Sequence, residues 1–306
     1  MCGDRLMPIS WSAKSNALVG FSSRQLVSRR ARKFFALHRN RFYIRREKLL
    51  ALLLPGNDLK VLMFIKPDWM EAIQEGFRRT PYTIEFGDIT SESLNEFDVV
   101  VPLTFEDFKS LRRYSGDLRK KKILFPSDEC AQLCHDKFAL NQALIRAGFE
   151  AYIPKMGREL APPYILKKRI SWWGVDCQLI RDLKDEQTFS KQLNDPAYFC
   201  QELVRGKFEF ATHILFMGGR IIKALNIMYE FETETPIKGQ NQILYTVIQH
   251  CPYLKLFARM LRSIDFEGLC CVNYKVAHGQ PYLLEINPRF GASLAPYFFS
   301  FLRHLR

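Results

Sequence analysis

The chain has 306 residues, 47% of them apolar and 25% charged, the balance of a soluble globular protein of two or three small domains rather than of a fibrous or disordered chain. Its formal charge of +13 is lopsided: residues 1–46 hold eleven Lys or Arg and one acid, and the rest holds 34 basic against 31 acidic residues. A nearly neutral body behind a basic extension excludes the net charge as a sign that the body binds nucleic acid.

Residues 1–58 contain SSRQLVSRRARKFFALHRNRFYIRR, rich in Arg and Ser and poor in acids. They are expected to be a basic, mobile extension, or translation from an over-early start, with Leu59-Lys60-Val61 opening the fold. Other readings are a segment lying on an anionic membrane surface, an organelle-targeting presequence, or a nucleic-acid contact. LKVLMFI (59–65) has strand length, and KPDWMEAIQEGFRR has helical spacing with Met70, Ile73 and Phe77 on one face. YTIEF alternates as a strand, and FDVVVPLTF (97–105) and KKILFPS (121–127) are continuous apolar runs of the kind covered on both faces. Strands alternating with helices predict a small parallel sheet, giving a front α/β domain at 59–127.

In the next segment, CAQLCHDKFALNQALIRAGF, helical spacing places Leu140, Leu144 and Ala147 on one face and Gly148 at the stop. APPYILKKRI reads as a strand, SWWGVDCQLIRD as a turn into another, LKDEQTFSKQL as a helix, and YFCQELVRG as a strand ending in a turn. FEFATHILFMGGRIIKALNIMYEF reads as two strands joined at Gly218-Gly219, YLKLFARMLRSI as an amphipathic helix, and GLCCVNYKVAHGQPYLLEINPRF as a hairpin turning at His278-Gly279. Eight scattered cysteines, with no secretory signal, predict reduced thiols in a cytoplasmic protein. Cys130, Cys134 and His135 lack a second ligand pair at zinc spacing, and no apolar run reaches the length of a membrane span.

One stretch, LLEINPRFGAS (283–293), poses a chemical question. Strand alternation sends Leu284 and Ile286 to one face and Glu285 and Asn287 to the other. A buried carboxylate needs a partner, and a cation suits an oxygen-only pair.

This stretch resembles the metal-binding strand of the ATP-grasp superfamily, in particular its carbamoyl-phosphate-synthetase-like carboxylate–amine ligases. GLCCVNYKV resembles the strand supplying a third ligand, with Asn273 twelve residues before Glu285. HDKFALNQALIRAGF resembles the lysine-bearing helix start, ILKK the second nucleotide lysine, and CQELVRGKFEF the hinge between two clasping lobes. The resemblance covers 128–306, and the domain in front matches the one such proteins carry there. It implies an α/β (α+β) architecture in which two α+β lobes clasp ATP behind a parallel-sheet domain.

By this resemblance, Asn273, Glu285 and Asn287 would hold Mg²⁺, with Mn²⁺ as an alternative, at roughly 2.0–2.1 Å. Lys137 and Lys167 would neutralise ATP phosphates, and Gln201, Glu202 and Val204 would line the adenine edge. Glu209 would accept from ribose hydroxyls, and Arg289 would act on the transferring phosphoryl group as the catalytic residue. The expected reaction joins a small-molecule carboxylate to an amine, or another nucleophile, through an acyl phosphate. Alternatives are phosphoryl transfer to a hydroxyl or carbohydrate, and nucleotide binding without turnover. A homodimer is the candidate assembly. His213 and Lys238 are further side chains that could face substrate. The sequence departs from the family pattern at Asn273, where many relatives carry an acid. It departs again in ISWWGVD, where Trp172 and Trp173 stand beside a single glycine, Gly174. Glu209 also lies one residue further from Gly206 than is common, and the chain stops soon after the metal-binding motif.

Overall fold

A computed structural model of the chain describes residues 28–53, 58–90, 95–111, 113, 122–123, 125–171 and 174–305. Trp172 and Trp173 of the ISWWGVD segment, and residues 1–27 of the expected extension, lie outside the described residues.

After a first helix α1 (Arg29–Leu53), the front domain begins with β1 (Lys60–Met63) and α2 (Pro67–Phe77). It continues with β2 (Thr83–Phe86), β3 (Val99–Val101), α3 (Phe105–Leu111) and β4 (Lys122–Ile123). The four strands form a parallel sheet in the order β2-β1-β3-β4. Val61, Leu62, Met63 and Val99 to Val101 are all buried, as continuous apolar runs covered on both faces should be. In α2 the buried face is Trp69, Ile73, Gly76 and Phe77, so the apolar stripe starts at Trp69 and Met70 is only half-buried. Gly76 is there because a Cβ would lie 2.8 Å from the carbonyl oxygen of Pro296. Trp69 stacks on Phe290 with ring centroids 5.9 Å apart. The front sheet therefore shares one hydrophobic core with the following domain.

Two helices follow, α4 (Asp128–His135) and α5 (Lys137–Leu144). Between them Asp136 has extended backbone (φ −88°, ψ 99°) and caps α5 by accepting from Phe138 N and Ala139 N. Gly148, at φ 87°, ends the helical segment where expected. The strands β5 (Tyr164–Lys168), β6 (Cys177–Ile180) and β7 (Tyr198–Glu202) form an antiparallel sheet in the order β6-β5-β7. It is backed by two short helices, α6 (Leu183–Thr188) and α7 (Ser190–Asn194), where the sequence pattern predicts one.

The larger sheet comprises β8 (Phe208–Met217), β9 (Arg220–Phe231), β10 (Ile243–Gln249), β11 (Gly268–Ala277) and β12 (Gln280–Asn287). All its pairings are antiparallel, in the order β10-β9-β8-β11-β12, with α8 (Leu254–Ser263) packed on one face. The expected turns at Gly218-Gly219 and His278-Gly279 are present, with positive φ at all four residues. Strand β10 was not expected from its sequence.

Residues 29–53 correct the expectation of a mobile extension. They form a helix whose inner face, with buried Ala36, Glu47 and Ala51, packs along β10 and the short C-terminal helix α9 (Phe299–Leu302). Asn40 donates to Thr246 O at 3.1 Å and accepts from Ile248 N at 2.8 Å, so its amide pairs with the open edge of β10 as another strand would. Glu47, the sole acid of this helix, is fully buried against Lys223 and Arg303. A charge so placed has a fixed partner set, which a mobile segment would not supply. Among the described residues, no helix is long and apolar enough to cross a membrane.

Candidate functional site

A cavity of about 190 Å³ lies between the three-stranded sheet and the five-stranded sheet. Lys137, Lys167, Glu202, Val204, Glu209, Asn273, Glu285, Asn287 and Arg289 all line it, although they come from six separate helices and strands and two loops. Gln201 stands one layer behind, buried, and its Oε1 accepts from Lys167 Nζ at 2.6 Å.

The sheet register builds the acidic corner. β11 and β12 pair so that Asn273 lies directly opposite Glu285. Asn273 Nδ2 donates to Glu285 Oε1 at 2.7 Å, and Asn287 Nδ2 donates to the same oxygen at 2.8 Å. The other oxygen, Oε2, is 3.6 Å from Lys137 Nζ. Burial pushes the Glu285 carboxyl up, but Lys137 and the two amides outweigh it and hold the group below its ordinary value, so it is a carboxylate. Leu284 departs from the expected alternation. The register shifts between Asn273 and Tyr274, leaving Leu284 as the extra residue of a β-bulge, and it lines the cavity beside Glu285 instead of joining Ile286 in the core.

The cationic side is held as firmly. Lys137, at the start of α5, donates to Ser171 O at 2.7 Å, and its backbone N–H donates to Arg169 O at 3.0 Å. Arg169 in turn grips Asp136 with a shortest contact of 2.6 Å, fixing the break that aims Lys137 into the cavity. Burial lowers the Lys167 ammonium from its ordinary value. Burial likewise lowers Arg289, opposed by the Glu285 carboxylate.

At the other end, β7 leads to Val204, whose carbonyl accepts from Lys275 Nζ at 3.0 Å. Glu202 lines the cavity, and its side chain accepts from Lys155 N at 3.2 Å. Glu209 is buried, which raises its carboxyl despite Lys238 and Lys275 nearby.

Lys238 enters the cavity from the loop between β9 and β10. Its Nζ sits 3.6 Å from Glu209 Oε1 and 3.9 Å from the Tyr229 ring centroid. The same loop bridges the two sheets: Gln240 Nε2 donates to Gly174 O and to Cys177 O, each at 2.7 Å. The approach is close, since a Cβ on Gly174 would lie 2.4 Å from Lys238 O. His213 does not reach the cavity. It is fully buried, with Nε2 2.8 Å from Ser293 Oγ, and burial pushes its imidazole down to about 3. Sequence reasoning gave no role to Trp69, Tyr229 and Ser293, which complete the wall beside Arg289. Their signal lay in the phase of α2 and in the register of β9, which single-strand patterns do not reveal.

The donor set suits a hard cation. It offers one carboxylate and two amides, and half a turn of each amide replaces Nδ2 by Oδ1, giving an all-oxygen group. Among the described residues no group of three or more His, Cys, Asp or Glu is placed to hold a metal ion, and Glu285 is the one carboxylate of this donor set, so a cation here would rely on phosphate oxygens for the remaining charge.

A carboxylate corner, paired lysines and an arginine thus face one cavity between the two antiparallel sheets. Solved structures share this architecture. The chain resembles D-alanine–D-alanine ligase from Bacillus anthracis at 13% identity and a TM-score of 0.55, over 81% of this chain and 96% of that one. It resembles phosphoribosylamine–glycine ligase from Thermotoga maritima at 15% identity and 0.57, over 78% and 71%. It resembles an ATP-grasp superfamily protein from Archaeoglobus fulgidus at 14% identity and 0.51, over 80% and 87%. No protein-family model and no curated protein matches the sequence. The chain has the ATP-grasp fold.

Proposed function

We propose that the chain is an ATP-dependent ligase that joins a small-molecule carboxylate to an amine, or to another nucleophile, releasing ADP and phosphate. The observation that carries this reading is the single cavity that unites Lys137, Lys167, Glu285 and Arg289 across the two lobes. Support also comes from the fold neighbours, several of which are ligases by name, one of them solved with ATP.

In this reading Lys137 and Lys167 bind the phosphates. The backbone from Gln201 to Val204 meets the adenine, and Glu209 accepts from the ribose hydroxyls once Lys238 gives way. Asn273, Glu285 and Asn287 would hold Mg²⁺ or Mn²⁺, which would neutralise phosphate charge. The substrate carboxylate attacks the γ-phosphorus of ATP, and ADP leaves. Arg289 presents a planar pair of N–H donors to the transferring phosphoryl group and then to the acyl phosphate. The amine attacks the acyl carbon, phosphate leaves with the bonding pair, and the amine's surplus proton passes to solvent. No side chain forms a covalent bond, so positioning and charge neutralisation carry the rate.

The test is to screen carboxylate and amine mixtures for ADP release in the presence of hydroxylamine. A hydroxamate formed together with ADP supports the ligase. A stable phosphoester without hydroxamate assigns a phosphotransferase. Retained affinity for a nonhydrolysable ATP analogue with no ADP from any mixture assigns nucleotide binding without turnover, the reading that Asn273 favours by leaving one carboxylate at the cation site.

A further inference from the structure

The outward face of α1 has no role in the clasp, yet it exposes large apolar side chains. Phe34, Phe35, Phe42, Leu49, Leu52 and Leu53 are each more than half exposed. At a helical period they fall on the side away from Ala36, Asn40, Tyr43 and Glu47, the residues that hold the helix to the body. Arg30, Arg41 and Arg45 lie among them, all exposed, and make no ion pair among the described residues. The only carboxylate of the helix, Glu47, is turned inward.

We propose that this face docks in the plane of an anionic phospholipid bilayer, with the aromatic and leucine side chains entering the interface and the arginines meeting lipid phosphates and carboxylates. Charge decides the occupant. A second copy of the same face would set arginines against arginines with no acid to pair them, whereas an anionic surface complements every cation on it. The helix is too polar to span, and its inner face is already committed to the protein, so it lies on the surface as a rigid rail. The sheet order fits this role. α1 lies at the β10 edge and Glu285 on β12 at the other edge, four strand spacings or roughly 19 Å away. The cavity would stay open to water-soluble substrates while the protein is docked.

The test is cosedimentation of the full chain with vesicles of phosphatidylcholine alone and of phosphatidylcholine with phosphatidylserine. Binding is expected only to the anionic vesicles and is expected to weaken as salt rises. Arg41→Glu with Arg45→Glu, and separately Phe34→Ser with Phe42→Ser, should each lower the bound fraction about tenfold or more. All four side chains are exposed and outside the cavity, so unchanged circular dichroism and ATP-analogue affinity would show intact folds. The inference is overturned if the wild type ignores anionic vesicles. It is equally overturned if both double variants still bind while removal of residues 1–27 abolishes binding, or if the Phe34/Phe42 variant turns a dimer into a monomer without any vesicle binding.

Discussion

Replacing Glu47 with Gln tests whether α1 is part of the fold. The carboxylate is fully buried, with Arg303 Nη2 at 2.9 Å, Lys223 Nζ at 3.1 Å and Arg46 Nη2 at 2.6 Å. Arg46 is 53% exposed and counts for little, while the side chains of Lys223 and Arg303 are only 13% and 14% exposed. Gln keeps the shape but points an amide NH₂ at two largely buried cations. Removing one partner of such a group costs about 3 kcal/mol, a fall in Tm of roughly 6–12 °C for a chain of this size. The assay is urea unfolding, comparing midpoints at constant slope. Acid gives a second reading. Burial pushes the Glu47 carboxyl up, but Arg46, Lys223 and Arg303 outweigh it, and the folded value lies below 4.5. The unfolded chain therefore takes up this proton first as pH falls, and the contribution, complete above 4.5, disappears as pH drops through the folded value. The gap between wild type and variant should close in acid. A neutral-pH difference below about 0.5 kcal/mol would refute the burial of Glu47 and the docking of α1.

Three further outcomes follow from individual contacts. Gly291→Ala would drive a Cβ to 2.7 Å from His213 Cε1 and 3.3 Å from Cys271 Cβ, next to Arg289, so ADP release should fall at least about tenfold while ATP-analogue affinity changes little. Gly76→Ala should destabilise the protein by about 1–3 kcal/mol in urea unfolding, because the obstacle is the backbone oxygen of Pro296 at 2.8 Å. The His213 imidazole, which burial holds at about 3, should show no titration by NMR between about pH 5 and 8; a midpoint near the ordinary value of 6.5 would mean that it reaches solvent.

Much of the site was legible because it follows local rules. Period-two alternation put Glu285 and Asn287 on one face, and a hairpin turning at His278-Gly279 brought Asn273 opposite Glu285. The bulge at Leu284 was not legible, since it depends on how β12 pairs and not on its own pattern. Strand β10 reads ILYTVIQ, and most of its residues are half-buried, so it carries no clean alternation. Helix α1 hid behind its charge. Its mean composition is that of an extension, and the two residues that betray it, Asn40 at a strand edge and Glu47 between buried cations, act only through partners some 200 residues away for Asn40 and more than 170 away for Glu47. Trp69 escaped for a similar reason: the phase of α2 is set by Phe290 and Pro296, which lie in another domain.

The central claim is that the β11–β12 corner and the paired lysines bind a metal–nucleotide complex. Calorimetric titration with a nonhydrolysable ATP analogue, with and without Mg²⁺, on the wild type, on Glu285→Ala and on Lys167→Met tests it most directly. The account predicts Mg²⁺-dependent binding to the wild type, loss of the Mg²⁺ dependence in Glu285→Ala, and weakening by about tenfold or more in Lys167→Met. Equal binding by all three proteins, or none by the wild type, would contradict it.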